Sequence, residues 1–139
     1  MPVRLRVSVL CSLLFAASGL ATCLALGADV PSEETSVVVI QGRQFKPERT
    51  VLHQGHKTRL VFKNHDSELH AVVPIGLFSG ESLTVAGNGA PEFGPEGLKR
   101  VLIPADGVAE IYFTPTKSGE YRYLCDMPGH EMNAVITVE

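Results

Sequence analysis

Near the end of the chain the stretch "LCDMPGHEMN" gathers Cys125, Met127, His130 and Met132 within eight positions. A thiolate is a soft, charged donor, an imidazole is a borderline donor, and a thioether is a soft, weak one. The chemistry they share is the holding of a metal ion. A thiolate and two neutral imidazoles in a trigonal array, with a weak thioether on the axis, make the donor set of an electron-transfer copper centre. Soft sulfur favours the reduced ion and imidazole accepts both oxidation states, so one site serves Cu(I) and Cu(II). The loop supplies one imidazole only. The second candidate is His70, in "FKNHDSELHAVV", where one strand-like run passes through a polar turn into the next.

Each of these residues also has a plainer reading. Cys125 packs equally well as a small buried hydrophobe, His70 as a strand cap, and Met132 as filler at the start of a core strand. Met127 is the rival axial donor, although a surface position suits it better. His65 reads as a solvated loop residue. His53 and His56 flank Gly55 in "LHQGHK" and read as hairpin-turn residues without a role, the alternative being that they scavenge a surface metal. Glu68 and Glu131 are charged loop neighbours of the candidate ligands, and carboxylate ligation would make a less blue centre. Zinc is compatible with one Cys and two His, but thioether is a poor zinc donor, which tips the choice to copper. A Cys125–His130 nucleophile pair would sit on one short loop, with no helix terminus to stabilise an oxyanion and no use for His70. The pattern therefore reads as a carrier of an ion or electron and not as an enzyme.

The elements that must position these groups are strands. Short runs rich in β-branched and aromatic residues occur at 36–40, 49–53, 58–64, 70–75, 99–104, 109–115, 120–125 and 133–139. Gly42, Gly55, Gly107 and Gly119 punctuate many of them. About eight strands at this spacing predict an all-β fold, a two-sheet sandwich. Alternation places Tyr121, Tyr123 and Cys125 on one face of their strand, and Ala134, Ile136 and Val138 together on the last. Cys125 then ends an inward-facing row at the rim of the core. A tyrosine corner is expected at Tyr121 or Tyr123. Residues 76–98, heavy in Gly and Pro, read as one long irregular loop.

The first residues read as an export signal, with Arg4 and Arg6 ahead of an uncharged run from Val7 to Ala28. The expected organisation is a signal peptide (or N-terminal anchor) over 1–27, a linker over 28–35 and a domain over 36–139. Cys23 in "LATC" offers a loose lipid-attachment site, so membrane association follows only if this segment is retained or lipidated. Export points to a periplasmic or other extracytoplasmic location. Of the 12 basic residues two leave with the signal, against 15 acidic ones, all of which stay. That mild acidity argues against nucleic acid as a partner. Cys11 and Cys23 lie in the leader, so the domain keeps Cys125 alone, a thiol with no internal disulfide partner in an oxidising compartment.

The pair "FKNHDSELHAVV" and "FTPTKSGEYRYLCDMPGHEMNAVITVE" resembles the cupredoxins, the plastocyanin and azurin family of type 1 copper proteins, across about residues 36–139. Its most specific part is Gly119, Tyr121, Tyr123 and Cys125, followed by Cys-x4-His and a Met entering the last strand. The resemblance implies a Greek-key sandwich, with His70, Cys125 and His130 as equatorial ligands and Met132 as axial ligand of one copper ion. It also implies His130 at a solvent-reaching edge as the electron port, within an apolar patch of Met127, Pro128 and Leu77 or Phe78. Its partners would be redox proteins, or a copper acceptor if the chain delivers the ion to a cuproenzyme. Two departures stand out. His130 and Met132 are closer in sequence than in azurin or plastocyanin, and Ala71 follows His70 where the family often has an Asn that ties the two ligand loops. Asn64 is the candidate substitute for that tie.

Overall fold

The structure is a computed structural model that describes residues 32–139, so the expected signal segment lies outside the described residues. The regular structure there is all strand: β1 (Glu33–Ile40), β2 (Phe45–Lys46), β3 (Arg49–Leu52), β4 (Lys57–Asn64), β5 (His70–Pro74), β6 (Leu83–Gly87), β7 (Ala90–Gly94), β8 (Gly97–Ile103), β9 (Val108–Phe113), β10 (Gly119–Leu124) and β11 (Asn133–Val138). They form two mixed sheets, β2-β1-β4-β9-β6 and β3-β11-β10-β5-β8-β7. The all-β sandwich expected from strand spacing is present.

Three features differ from the expectation. β1 starts at Glu33, ahead of residue 36, because its early residues alternate between exposed and half-buried and carry too little apolar signal. The short β2 pairs with the end of β1. Residues 76–98 are not one irregular loop but contain β6 and β7. β6 lies antiparallel to β9, and β7 lies antiparallel to β8 with a register shift at Glu92/Phe93. Both are sheet edges, where a strand tolerates Pro91, Gly87 and Gly94 because one row of its backbone groups needs no ladder partner. Edge strands with that composition resemble loop in sequence.

Alternation decides what faces the core. In β4, Thr58, Leu60, Phe62 and Asn64 point inward; in β11, Ala134, Ile136 and Val138 do. Tyr123 of β10 joins the sheets, its ring centroid 4.7 Å from Phe45 and 5.6 Å from Phe62. Tyr121 makes the tyrosine corner, its hydroxyl donating to the Lys117 carbonyl at 3.1 Å. The parallel pairing of β1 with β4 runs from Glu33↔Lys57 to Ile40↔Asn64, so the sandwich has two poles. Asn64, His70, Cys125 and His130 gather at one; Glu34, His53 and His56 at the other.

Candidate metal centre

Three chain segments meet at the first pole. β5 begins with His70, whose side chain is fully buried. β10 ends at Leu124, and the next residue, Cys125, continues its inward row and is 4% exposed. His130 returns on a turn whose chemistry is legible. Its N–H donates to the Met127 carbonyl at 3.0 Å across Pro128 and Gly129, and Gly129 has φ +79°. Proline second and a positive-φ glycine third are the signature of a type II turn. The turn brings the imidazole back beside the sulfur that the chain has just left.

The donor atoms of His70, Cys125 and His130 lie within 4.8 Å of one another. Cys125 Sγ is 3.4 Å from His130 Nδ1 and 3.9 Å from His70 Nδ1. A sulfur about 2.3 Å and an imidazole nitrogen about 2.0 Å from one ion, bonded at trigonal to tetrahedral angles, would stand about 3.5–3.8 Å apart. The observed separations bracket that interval, so the three groups fit one metal ion. The two rings are tilted at 49° with centroids 4.8 Å apart, and both turn Nδ1 toward the sulfur.

A carboxylate fixes the His70 ring from behind. His70 Nε2–H donates to Asp66 Oδ2 at 2.9 Å, which leaves the Nδ1 lone pair free toward Cys125. A carboxylate behind a ligand imidazole sets the tautomer and raises ligand basicity. Burial pushes the Asp66 carboxyl up, but the N–H groups of Arg43 and Gly42 and the His70 ring outweigh it and hold it below the ordinary range. Glu68 Oε2 stands 3.5 Å from His130 Nε2, and a two-pronged pair with Arg43 keeps the Glu68 carboxyl ionised below its usual range.

The tie between ligand loops is made differently from the expectation. Asn64 donates to the carbonyls of Glu68, Ile103 and Pro104 and accepts from Asp66 N–H, so it braces the turn that carries His70 but does not reach the Cys125 loop. The link to the thiol is a backbone one: Ala71 N–H donates to Cys125 Sγ at 3.3 Å. Met132 is buried, and its carbonyl accepts from Cys125 N–H at 3.1 Å, which holds the axial candidate's backbone against the thiol residue.

The apolar docking patch is corrected at Leu77 and Phe78. Leu77 and Phe78 are 5% and 3% exposed and belong to the core, where Phe78 meets Phe113 edge-on at 4.8 Å. Their run of two adjacent apolar residues says "buried or patch" without choosing. Met127 is half-buried against the core, Pro128 is exposed, and the His130 side chain is 6% exposed. What stands beside the His130 ring is the Arg43–Glu68 ion pair. His65 and Glu131 are exposed loop residues. Sequence reasoning missed Asp66 and Arg43; the signal for Asp66 was its place four residues before His70 in a polar turn.

The profile of the cupredoxin-like domain family matches residues 12–138, and the chain belongs to that family. Auracyanin A, a "blue" copper protein from the green thermophilic photosynthetic bacterium Chloroflexus aurantiacus, has a similar structure. Its TM-score is 0.58 at 17% identity, covering 78% of this chain and all (100%) of that one. Auracyanin B gives 0.57 at 21% identity over 80% and 91% of the two chains. A methionine-to-alanine mutant of amicyanin with Cu(I) gives 0.53 at 16% identity over 76% and 82%. No curated protein matches the sequence.

Proposed function

We propose that the chain is a small exported type 1 copper protein that carries single electrons between redox partner proteins. The observation that carries the reading is the convergence of Cys125 Sγ, His70 Nδ1 and His130 Nδ1 from the start of β5, the end of β10 and the turn that follows it. Cys125, His70 and His130, with Met132 as the fourth donor, are the residues that would hold the ion. Copper, when bound, supplies a one-electron couple between Cu(I) and Cu(II). The descriptions of auracyanin A as a "blue" copper protein and of the amicyanin mutant with Cu(I) support the choice of ion.

The chain's own part is to limit rearrangement. His70 is locked by Asp66 on one side and by full burial, Cys125 by Ala71 N–H and the β10 ladder, and His130 by the Pro128–Gly129 turn. Groups held before the ion changes charge need little reorganisation when it does. His130 is the ligand nearest solvent, since its side chain is 6% exposed against 0% for His70, and it is the exit and entry point for the electron. The polar Arg43–Glu68 pair beside it favours a partner with complementary charge. The basic and apolar N-terminal sequence supports export to a periplasmic or extracytoplasmic compartment.

Electron self-exchange, measured by magnetic resonance on mixed reduced and oxidised copper-loaded protein, tests this reading. Rapid exchange with copper retained against a chelator is expected. Slow exchange with quick surrender of the ion to the chelator would assign the chain to copper delivery instead.

A further inference from the structure

The opposite pole carries a second cluster that the copper centre does not use. Glu34 near the start of β1, His53 just after β3 and His56 just before β4 bring their ligand atoms within 4.8 Å of one another. Along β4 the two poles are about 20 Å apart, taking about 3.3 Å per strand residue from Thr58 to Asn64. The cluster therefore owes nothing to the copper ligands, and its existence does not depend on the copper reading.

The local sequence builds it. His56 N–H donates to the His53 carbonyl at 3.2 Å across Gln54 and Gly55, and Gly55 has φ +79°. That is again the type II turn, in which the first and fourth residues approach closely. The two imidazoles stack, centroids 5.1 Å apart and planes within 26°. The parallel register Glu34↔Thr58 then lays the carboxylate beside them. Glu34 is fixed in place: Oε1 accepts from His53 N–H at 2.9 Å and from the Thr58 hydroxyl at 3.0 Å, while Oε2 accepts from His53 Nδ1–H at 2.8 Å. The His56 ring has no hydrogen-bond partner among the described residues.

We infer that Glu34, His53 and His56 form a second metal site, for a borderline divalent cation of the Zn2+ class. Two imidazoles and one carboxylate are a donor set that zinc takes with a fourth position left to water. Donors of one ion lie at most about 4 Å apart at these bond lengths, so a small rotation of the half-open histidines closes the site. The acidic partner is already ionised and anchored, and only the two rings have to adjust. The side chain of His53 is 51% exposed, which leaves it free to do so.

The test uses mature protein already loaded with one equivalent of copper, titrated with Zn2+ in a calorimeter while the visible spectrum follows the first centre. A second equivalent should bind with the copper spectrum unchanged. His56→Ala, which removes a ring without hydrogen-bond partners, should weaken it about 10-fold or more, as should Glu34→Gln. Thermal melts without Zn2+ show that the variants fold; with Zn2+, the wild type alone should melt higher. Binding that is equal in wild type and folded variants, no second equivalent, or binding that bleaches the copper spectrum would each overturn the assignment.

Discussion

Asp66 Oδ2 accepts the Nε2–H of His70 at 2.9 Å, and the opposite nitrogen of that ring faces Cys125 Sγ 3.9 Å away. The carboxylate thus decides which ring nitrogen is available at the centre. Asp66→Ala should lower metal affinity about 10–100-fold, the usual cost of losing such a partner. Competition with a chelator of known affinity measures it. Unchanged affinity in a folded variant would mean that burial alone orients the ring.

Met132 separates packing from ligation. Its side chain is 4% exposed within the core, so Met132→Ala should cost about 2–5 kcal/mol in urea unfolding of the metal-free protein. Met132→Leu keeps the volume and should cost less than about 1.5 kcal/mol. Loss of the thioether should nonetheless move the reduction potential of the copper-loaded Leu variant, because the axial donor tunes it. A potential identical to wild type would reduce Met132 to filler.

Glu68 and Arg43 should act on the potential in opposite directions. The Glu68 carboxylate, 3.5 Å from His130 Nε2, would favour the more positively charged oxidised state of a bound copper ion, and Arg43 would offset it. Glu68→Gln should raise the potential and Arg43→Gln should lower it, each on the order of tens of millivolts at low salt. Voltammetry across ionic strengths measures both. Shifts of the same sign would contradict the pairing.

Acid should weaken the sandwich through Glu110. Hydrogen bonds from Arg59 and then from Tyr112 hold its carboxyl down at about 2, against an ordinary value of 4.5. The unfolded chain therefore takes up the proton first as pH falls. The stabilisation is complete above about pH 4.5 and is lost as pH drops toward 2. Wild type should exceed Glu110→Gln in urea midpoint at pH 6, and the gap should close by pH 2. A gap independent of pH would show that Glu110 acts only by shape.

Much of this molecule was legible in sequence because its strands are half-buried: period-2 alternation in β4, β10 and β11 marks the core face directly. The Met127–His130 turn was equally open to reading, since Pro then Gly names its own geometry. The edge strands β6 and β7 were not, because an edge admits the Gly and Pro that mark loops elsewhere. Nor were Asp66 and Arg43. Long-range pairs such as Arg43–Glu68 depend on which turns meet at a pole, and charge in a turn is by default solvated. Ala71 was legible only as a missing side chain; that its backbone N–H bonds to the thiol follows from the fold alone.

Cys125, as thiolate, is expected to share one copper ion with His70 and His130. Visible absorption and electron paramagnetic resonance of the copper-loaded domain, beside Cys125→Ser, test it most directly. The wild type should show an intense visible band that disappears reversibly on one-electron reduction, and the folded serine variant should lack it. A serine variant with the same band, or a colourless wild type with one bound copper, would contradict the account.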